Sequence, residues 1–93
     1  MKSVVEYQVL PGHEAEFEGW IRTVIEAAAR SEGHQGASVL TSGAPGHYFL
    51  LLRFASRDHL ERWGASPEFA RLRKEAERLV SPGTQQVREG LAT

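Results

Sequence analysis

The sequence has 93 residues, of which 41% are hydrophobic and 25% charged, with a formal net charge of −1. This length indicates a single domain over residues 1–93, and the balanced charge excludes a phosphate-backbone binder, so no nucleic-acid partner is expected. The absence of cysteine excludes a disulfide framework, a thiolate metal site and a cysteine nucleophile. No apolar run approaches the ~18–20 residues of a membrane span, and the polar N-terminus does not resemble a signal peptide. We therefore expect a cytoplasmic protein.

The first predicted elements are a strand at Ser3–Leu10, ended by Pro11–Gly12, and a helix at Gly12–Arg30. Alternation places Val5, Tyr7 and Val9 on one face of the strand, and Val4, Glu6, Gln8 and Leu10 on a more mixed face. The helix is predicted because apolar residues recur with a helical period at Phe17, Trp20, Ile21, Val24 and Ala28.

Two further strands, Gln35–Ser42 and His47–Phe54, flank the turn-rich segment Ser42–Gly46 and indicate an antiparallel hairpin. The second strand, with the sequence HYFLLLRF, is apolar on both faces. One face carries Tyr48, Leu50, Leu52 and Phe54, and the other carries His47, Phe49, Leu51 and Arg53. A strand of this kind is typical of a sheet that is covered on both sides.

A second helical region begins with Ser56 as its N-cap, is interrupted at Gly64–Ala65 and restarts at Ser66–Pro67. Its apolar positions are Leu60, Trp63, Phe69, Leu72, Ala76 and Leu79. Ser81–Pro82–Gly83 is expected to end it, and Thr84–Leu91 is predicted to form a final strand at an edge or interface.

This order predicts an α+β, ferredoxin-like βαββαβ fold with a four-stranded antiparallel sheet and both helical regions on one face. The other face is then bare, and its apolar content, either Phe49 and Leu51 or the alternate set with Leu50 and Leu52, is too large for a monomer. We therefore predict a symmetric homodimer in which two sheets pack face to face.

The following ordered motifs span about residues 3–91: Leu10-Pro11-Gly12, Glu16-Phe17-Glu18-x-Trp20, Gly36-x-x-Val39-Leu40, Arg53-Phe54-x-Ser56 and Leu60-x-x-Trp63-x-x-Ser66-Pro67-Glu68. Together they resemble the antibiotic biosynthesis monooxygenase superfamily of dimeric α/β-barrels, and within it an uncharacterised branch. The resemblance implies a pocket between helices and sheet in each subunit. It also implies oxidation of aromatic polyketides or quinols by molecular oxygen with no metal or flavin, although other members degrade haem.

Two departures argue against haem degradation. Haem-degrading members pair the second-helix Trp with an iron-binding His ten residues later, whereas Trp63 is followed at that spacing by Arg73. They also use an Asn on the first strand, where this chain has Glu6, Tyr7 and Gln8. No cofactor is therefore expected.

The four histidines, His13, His34, His47 and His59, form no close pair of the kind that binds metals, so no metal site is expected. Each is interpreted as a surface or structural residue. His59 lies one turn before Trp63, and the alternative is that it shares a pocket wall and shuttles a proton.

The candidate substrate-pocket residues are Tyr7, Trp20, Tyr48, His59, Trp63 and Phe69. Trp63 is equally interpretable as a core residue, the core interpretation is favoured for Trp20, and both tyrosines are equally interpretable as amphipathic residues whose hydroxyls reach water. Arg53 needs a partner if it is buried, and Glu6 is the candidate across the sheet. That pair is either an interface ion pair or a group that stabilises an enolate or peroxide. No catalytic residue is identified.

The sequence leaves two functions open. One is a cofactor-independent monooxygenase acting on a small aromatic substrate such as a phenol, a quinol or a polyketide-like compound. The alternative is a non-catalytic dimeric module that binds a small molecule in the same pocket. A titratable side chain at the pocket wall, such as His59 or a tyrosine, would favour catalysis, and a purely apolar lining would favour binding.

Overall fold

The computed structural model describes residues 1–81 and the backbone of residues 86–89. The elements within these residues are, in chain order, β1 (Lys2–Gln8), α1 (Glu14–Ala29), β2 (His34–Thr41), β3 (His47–Phe54), α2 (Arg57–Gly64), α3 (Pro67–Ala76) and β4 (Gln86–Glu89). The strands form one antiparallel sheet in the order β2-β3-β1-β4. The predicted α+β, ferredoxin-like class is confirmed.

Strands β1 and β3 form the centre of the sheet, because β1 pairs with both β3 and β4, and β3 with both β1 and β2. Their register places Val5 opposite Leu50 and Tyr7 opposite Tyr48. Side chains alternate across the sheet, so this register fixes which residues of both strands face the helices.

The helices cover the face of β3 that carries Leu50, Leu52 and Phe54, whose exposed fractions are 1%, 2% and 0%. The predicted apolar stripe of α1 is buried in the same core cluster. Each fully buried side chain of this size contributes about 1.5–3 kcal/mol by leaving water, so this single core provides most of the driving force for folding. None of the described helices combines the length and the hydropathy needed to cross a bilayer.

Two serine caps separate α2 from α3 at the predicted break. The Ser56 hydroxyl accepts a hydrogen bond from the His59 backbone N–H at 3.3 Å, and the Ser66 hydroxyl accepts one from the Phe69 N–H at 3.1 Å. Helix α2 ends at Gly64, and Pro67 opens α3. Both caps and the interruption are therefore confirmed.

The prediction that the second helical region continues to Ser81 is wrong, because α3 ends at Ala76. The following residues turn back to the end of β1, where Val80 forms a bridge with Val9. The Leu10 N–H donates to the Leu79 oxygen at 2.9 Å, and the Ser81 N–H donates to the Gln8 oxygen at 2.8 Å. The described residues of β4 pair with Ser3–Glu6, and this turn supplies partners for the part of β1 that follows. The predicted ends of the final strand at Thr84 and Leu91 lie outside the described residues.

No helix within the described residues covers the opposite face of the sheet, here called the open face. Its described side chains come from alternate positions: Lys2, Val4, Glu6, Gln8, Ser38, Leu40, His47, Phe49, Leu51 and Arg53. Leu40 is 53% exposed, and Phe49 and Leu51 are only half-buried. The predicted pairing of Arg53 with Glu6 is wrong, because the register sets Arg53 opposite Lys2 and Glu6 opposite Phe49, four residues further along the strand.

Candidate functional site

A cavity of about 190 Å³ lies between the covered face of the sheet and helices α2 and α3. Its lining residues are Ser3 and Val5 of β1, Leu50 and Leu52 of β3, Leu60, Glu61, Trp63 and Gly64 of α2, and Phe69 and Arg73 of α3. Local sequence explains the space, since the chain breaks between α2 and α3 and Gly64 contributes no side chain to the wall. The cavity is thus a gap where the core is incompletely filled.

The volume limits what can enter. An apolar cavity of about 150 Å³ is large enough for benzene, and pockets for drug-sized ligands begin at about 300 Å³. The cavity of about 190 Å³ therefore fits one substituted aromatic ring. A haem or a fused polycyclic compound would require the helices to move apart.

Trp63 provides a hydrogen-bond donor at the cavity. The side chain is 4% exposed and its ring lies 5.2 Å from that of Phe69, centroid to centroid. Its Nε1 atom is buried and has no hydrogen-bond partner among the described residues. A buried donor without an acceptor costs about 1–3 kcal/mol, so a ligand oxygen at this point would be stabilised.

Three further polar side chains line the same cavity. Ser3 is 3% exposed, and among the described residues it is the one polar side chain that is fully buried. Glu61 and Arg73 are surface residues that also reach the lining, one from α2 and one from α3. The lining is therefore mainly apolar, and its polar members are one serine, one tryptophan and one exposed charged residue of each sign.

Two of the predicted pocket residues, Tyr7 and Trp20, lie in the core beside this cavity and not in its lining. The Trp20 Nε1–H donates to the Leu72 oxygen at 2.8 Å, and the rings of Tyr7 and Trp20 pack edge to face with centroids 5.4 Å apart. Burial raises the pKa of the Tyr7 hydroxyl, and the nearby positive charge of Arg73 lowers it by a smaller amount. Tyr7 is consequently neutral over the physiological pH range.

Tyr48 lies at a different place, an open surface depression between α1 and the hairpin. Its ring packs on Phe17 with centroids 4.9 Å apart. Burial, and then the carboxylates of Glu18 and Glu14, raise the pKa of its hydroxyl. The structure therefore does not bring Tyr48 together with Trp63 and Phe69, the predicted pair that does share a cavity.

His59 is turned away from the cavity and toward the end of α1. Its Nδ1 lies 2.8 Å from the Ser56 hydroxyl, and its Nε2 lies 3.9 Å from a carboxylate oxygen of Glu32. The ring packs directly on Gly33, whose φ of +82° is in the left-handed region and where a Cβ would clash with the imidazole. His59 thus anchors α2 to the turn before β2.

The residues that sequence reasoning missed are Ser3, Glu61 and Arg73. Alternation along β1 puts Ser3 on the same face as Val5, and the i, i+4 spacing puts Arg73 on the same face of α3 as Phe69. Those signals were present, but a serine near a chain end and two charged helix residues are typical of solvated positions. Across the described residues, no group of three potential ligands among His, Asp and Glu is placed to hold a metal ion.

A family model of the antibiotic biosynthesis monooxygenases matches residues 1–75. No functionally curated protein matches the chain. Among solved structures, a Bordetella bronchiseptica protein named for that family is 25% identical, with a TM-score of 0.80 over 94% of this chain and 90% of the other. SnoaB, a cofactor-independent oxygenase from Streptomyces nogalater, is 19% identical, with a TM-score of 0.80 over 99% and 96%. A Nitrosomonas europaea protein is 16% identical, with a TM-score of 0.81 over 98% and 89%.

Proposed function

The chain belongs to the antibiotic biosynthesis monooxygenase family, and from that premise we propose that it is a cofactor-independent monooxygenase. Its substrate is a single-ring phenol or quinol, which binds in the cavity between the sheet and helices α2 and α3. The observation that carries the proposal is the cavity itself. Its volume of about 190 Å³ suits one ring, and the Trp63 Nε1–H, buried without a described partner, offers a donor to a phenolic oxygen. The fold shared with a cofactor-independent oxygenase supports the reaction class.

Three polar lining residues have separate roles in the proposed reaction. Trp63 donates to the substrate oxygen and fixes the ring, and the Arg73 guanidinium stabilises the phenolate that forms. Glu61, which is exposed, is the group available to accept the phenolic proton and pass it to water. The apolar walls from β1 and β3 exclude water, so the anion is held desolvated beside dissolved oxygen.

The chemistry balances with oxygen as the only oxidant. For a phenol with a free para position, the phenolate passes one electron to O₂, and the resulting radical pair combines at the para carbon to give a peroxide. Loss of the ring proton at that carbon and cleavage of the O–O bond then give a quinone and water. One oxygen atom enters the product and the other leaves as water, so no external reductant is needed.

We also propose that the functional unit is a homodimer in a dimeric α/β-barrel, with the open face of one subunit against that of its partner. Exposed Leu40 and half-buried Phe49 and Leu51 support this arrangement, since a monomer would leave them in water. Analytical ultracentrifugation at micromolar concentration tests it, and a monomer at that concentration would contradict it.

The reaction is tested by oxygen uptake with a panel of single-ring phenols and hydroquinones, compared with fused-ring analogues. Arg73 and Arg71 provide a matched pair, because both are exposed on α3 and only Arg73 lines the cavity. We expect Arg73→Gln to lower kcat/KM by about tenfold or more, through loss of phenolate stabilisation, and Arg71→Gln to leave it unchanged. Equal loss in both variants, or no oxygen uptake by the wild type with any member of the panel, would contradict the proposal.

The second candidate function is a non-catalytic binding module. The observation that favours it is that the described lining contains neither a histidine nor a tyrosine, and its two charged residues are exposed. Anaerobic titration followed by Trp63 fluorescence separates the two functions. Saturable phenol binding with no oxygen consumption after air is admitted would establish the binding module.

A further inference from the structure

The wall of the cavity contains a glycine on helix α2. Gly64 follows Leu60 by four residues and Glu61 by three, so the three lie on one face of the helix, and all of them line the cavity. A Cβ built on Gly64 would meet no heavy atom within 4 Å outside its own stretch of helix. The space in front of this residue is therefore open because the residue has no side chain.

The backbone and the packing do not require a glycine at this position. Gly64 is the last residue of α2, and its φ lies outside the left-handed region that favours glycine. Gly33 differs, because its φ is +82° and a Cβ there would clash with the imidazole of His59. Apart from proline, glycine is the least favourable residue in a helix. Gly64 thus lowers the stability of α2, and the space that it leaves is the structural feature gained.

This space adjoins the proposed binding point for the phenolic oxygen. Trp63, the next residue in the chain, is 4% exposed, whereas Gly64 is exposed. The cavity of about 190 Å³ is larger than the ~150 Å³ that holds benzene, so room remains beside one ring. The lining is mainly apolar, and its two charges, on Glu61 and Arg73, are of opposite sign. These properties favour a small uncharged alkyl group over an ionised substituent.

We propose that Gly64 determines the substrate class of the cavity: the space in front of it holds a small alkyl substituent, so the preferred ligands are alkyl-substituted single-ring phenols. The inference rests on the proposed binding of a phenol in this cavity and adds the residue that selects among such rings. Gly64 touches the substituent and not the reacting atoms, so its effect is on binding.

The test is isothermal titration calorimetry under nitrogen with phenol, 2-ethylphenol and 3-ethylphenol as probes. Without oxygen no turnover occurs, so binding is measured separately from the reaction. We expect the wild type to bind one of the ethylphenols about tenfold or more tightly than phenol, because one methylene group in an apolar pocket has an effect of that size. Gly64→Leu fills the space and should remove this preference while changing the Kd of phenol by less than about twofold. Gly64→Ala should have an intermediate effect.

Gly19 provides the matched control. It lies within α1, is exposed, has no heavy atom within 4 Å of a built Cβ and is outside the cavity lining. Gly64→Ala and Gly19→Ala should each raise the Tm by about 2–6 °C, because both replace a helical glycine. Gly19→Leu should leave every Kd unchanged, so a loss of preference in Gly64→Leu alone is local to the cavity. Circular dichroism verifies that each variant folds.

The possible results separate this inference from the proposed reaction. A wild type that binds phenol and both ethylphenols equally, or a Gly64→Leu variant that keeps the wild-type preference, would overturn the role of Gly64 even if oxygen uptake supports the monooxygenase. The expected binding pattern without oxygen uptake in air would contradict the reaction and support the assignment of Gly64.

Discussion

The two faces of strand β3 have similar sequences and different environments. Leu50, Leu52 and Phe54 are at most 2% exposed beneath the helices, whereas the intervening Phe49 and Leu51 remain half-buried on the open face. The helices within the described residues therefore complete one side of the sheet and leave the other without a helix. The covered face determines whether the monomer folds, and we expect the open face to determine what it associates with.

The largest expected effect contrasts two phenylalanines of β3 that lie on opposite faces. Phe54→Ala removes a fully buried ring and should lower the free energy of unfolding by about 3–5 kcal/mol. Phe49→Ala removes a half-buried ring and should cost the monomer about 1 kcal/mol, while its effect should grow with protein concentration because the proposed dimer also depends on this ring. Urea unfolding at two protein concentrations measures both.

If Phe54→Ala does not fold, Phe54→Leu tests the same buried position and should lower the free energy of unfolding by about 1–1.5 kcal/mol. Equal costs at the two positions, independent of concentration, would mean that the open face is no less buried than the covered one.

A second, smaller effect contrasts the two tryptophans of the covered side. Trp20→Phe removes the donor that satisfies the Leu72 oxygen, and Trp63→Phe removes a donor that has no described partner. Beyond the similar loss of volume, Trp20→Phe should destabilise the protein by about 1–3 kcal/mol more than Trp63→Phe. Thermal unfolding of the ligand-free proteins measures the difference. The opposite order would show that the Trp63 N–H is satisfied.

The helix caps should have an effect of about 1 kcal/mol each. Ser66→Ala removes the hydroxyl that accepts from the Phe69 N–H and should lower the free energy of unfolding by about that amount, because α3 loses its N-cap. Exposed Thr23, whose hydroxyl donates to the Gly19 oxygen within α1, provides a control: Thr23→Ala should change stability by less than about 0.5 kcal/mol. Urea titration is again the measurement, and equal effects would argue against a capping role.

The smallest expected effect is on the pH dependence of stability and comes from the exposed carboxyl of Glu16. Hydrogen bonds from Arg78 and then His13 lower the pKa of Glu16 below its usual value of 4.5. A carboxyl with a lowered pKa in the folded state contributes stability above the pKa of the unfolded chain and loses it as the pH falls through the folded value. Glu16→Gln should therefore make the loss of stability below about pH 4.5 shallower, and high salt should erase the difference. A steeper acid limb in the variant would contradict the pairing.

The sequence predicted those features that depend on local chemistry. Periodicity located α1 and showed that both faces of β3 are apolar, and the Ser56 and Ser66 caps located the break between α2 and α3. Prediction from the sequence failed for features that depend on contacts between residues far apart in the chain. The end of α3 at Ala76 follows from the need of β1 for backbone partners, and the pairing of Glu6 with His47 follows from strand register. Of the six predicted pocket residues, only Trp63 and Phe69 line the cavity.

By itself, the sequence determined the kind of sheet, the helices that cover it and the surplus of apolar side chains on the other face, because all three follow from the spacing of residues along one strand or helix. Only the tertiary structure decided that α2 and α3 leave a gap one ring wide, that Ser3, Glu61 and Arg73 reach it, and that His59 does not. Those outcomes depend on the angle and distance at which helices meet the sheet, and side-chain packing between separate elements sets both.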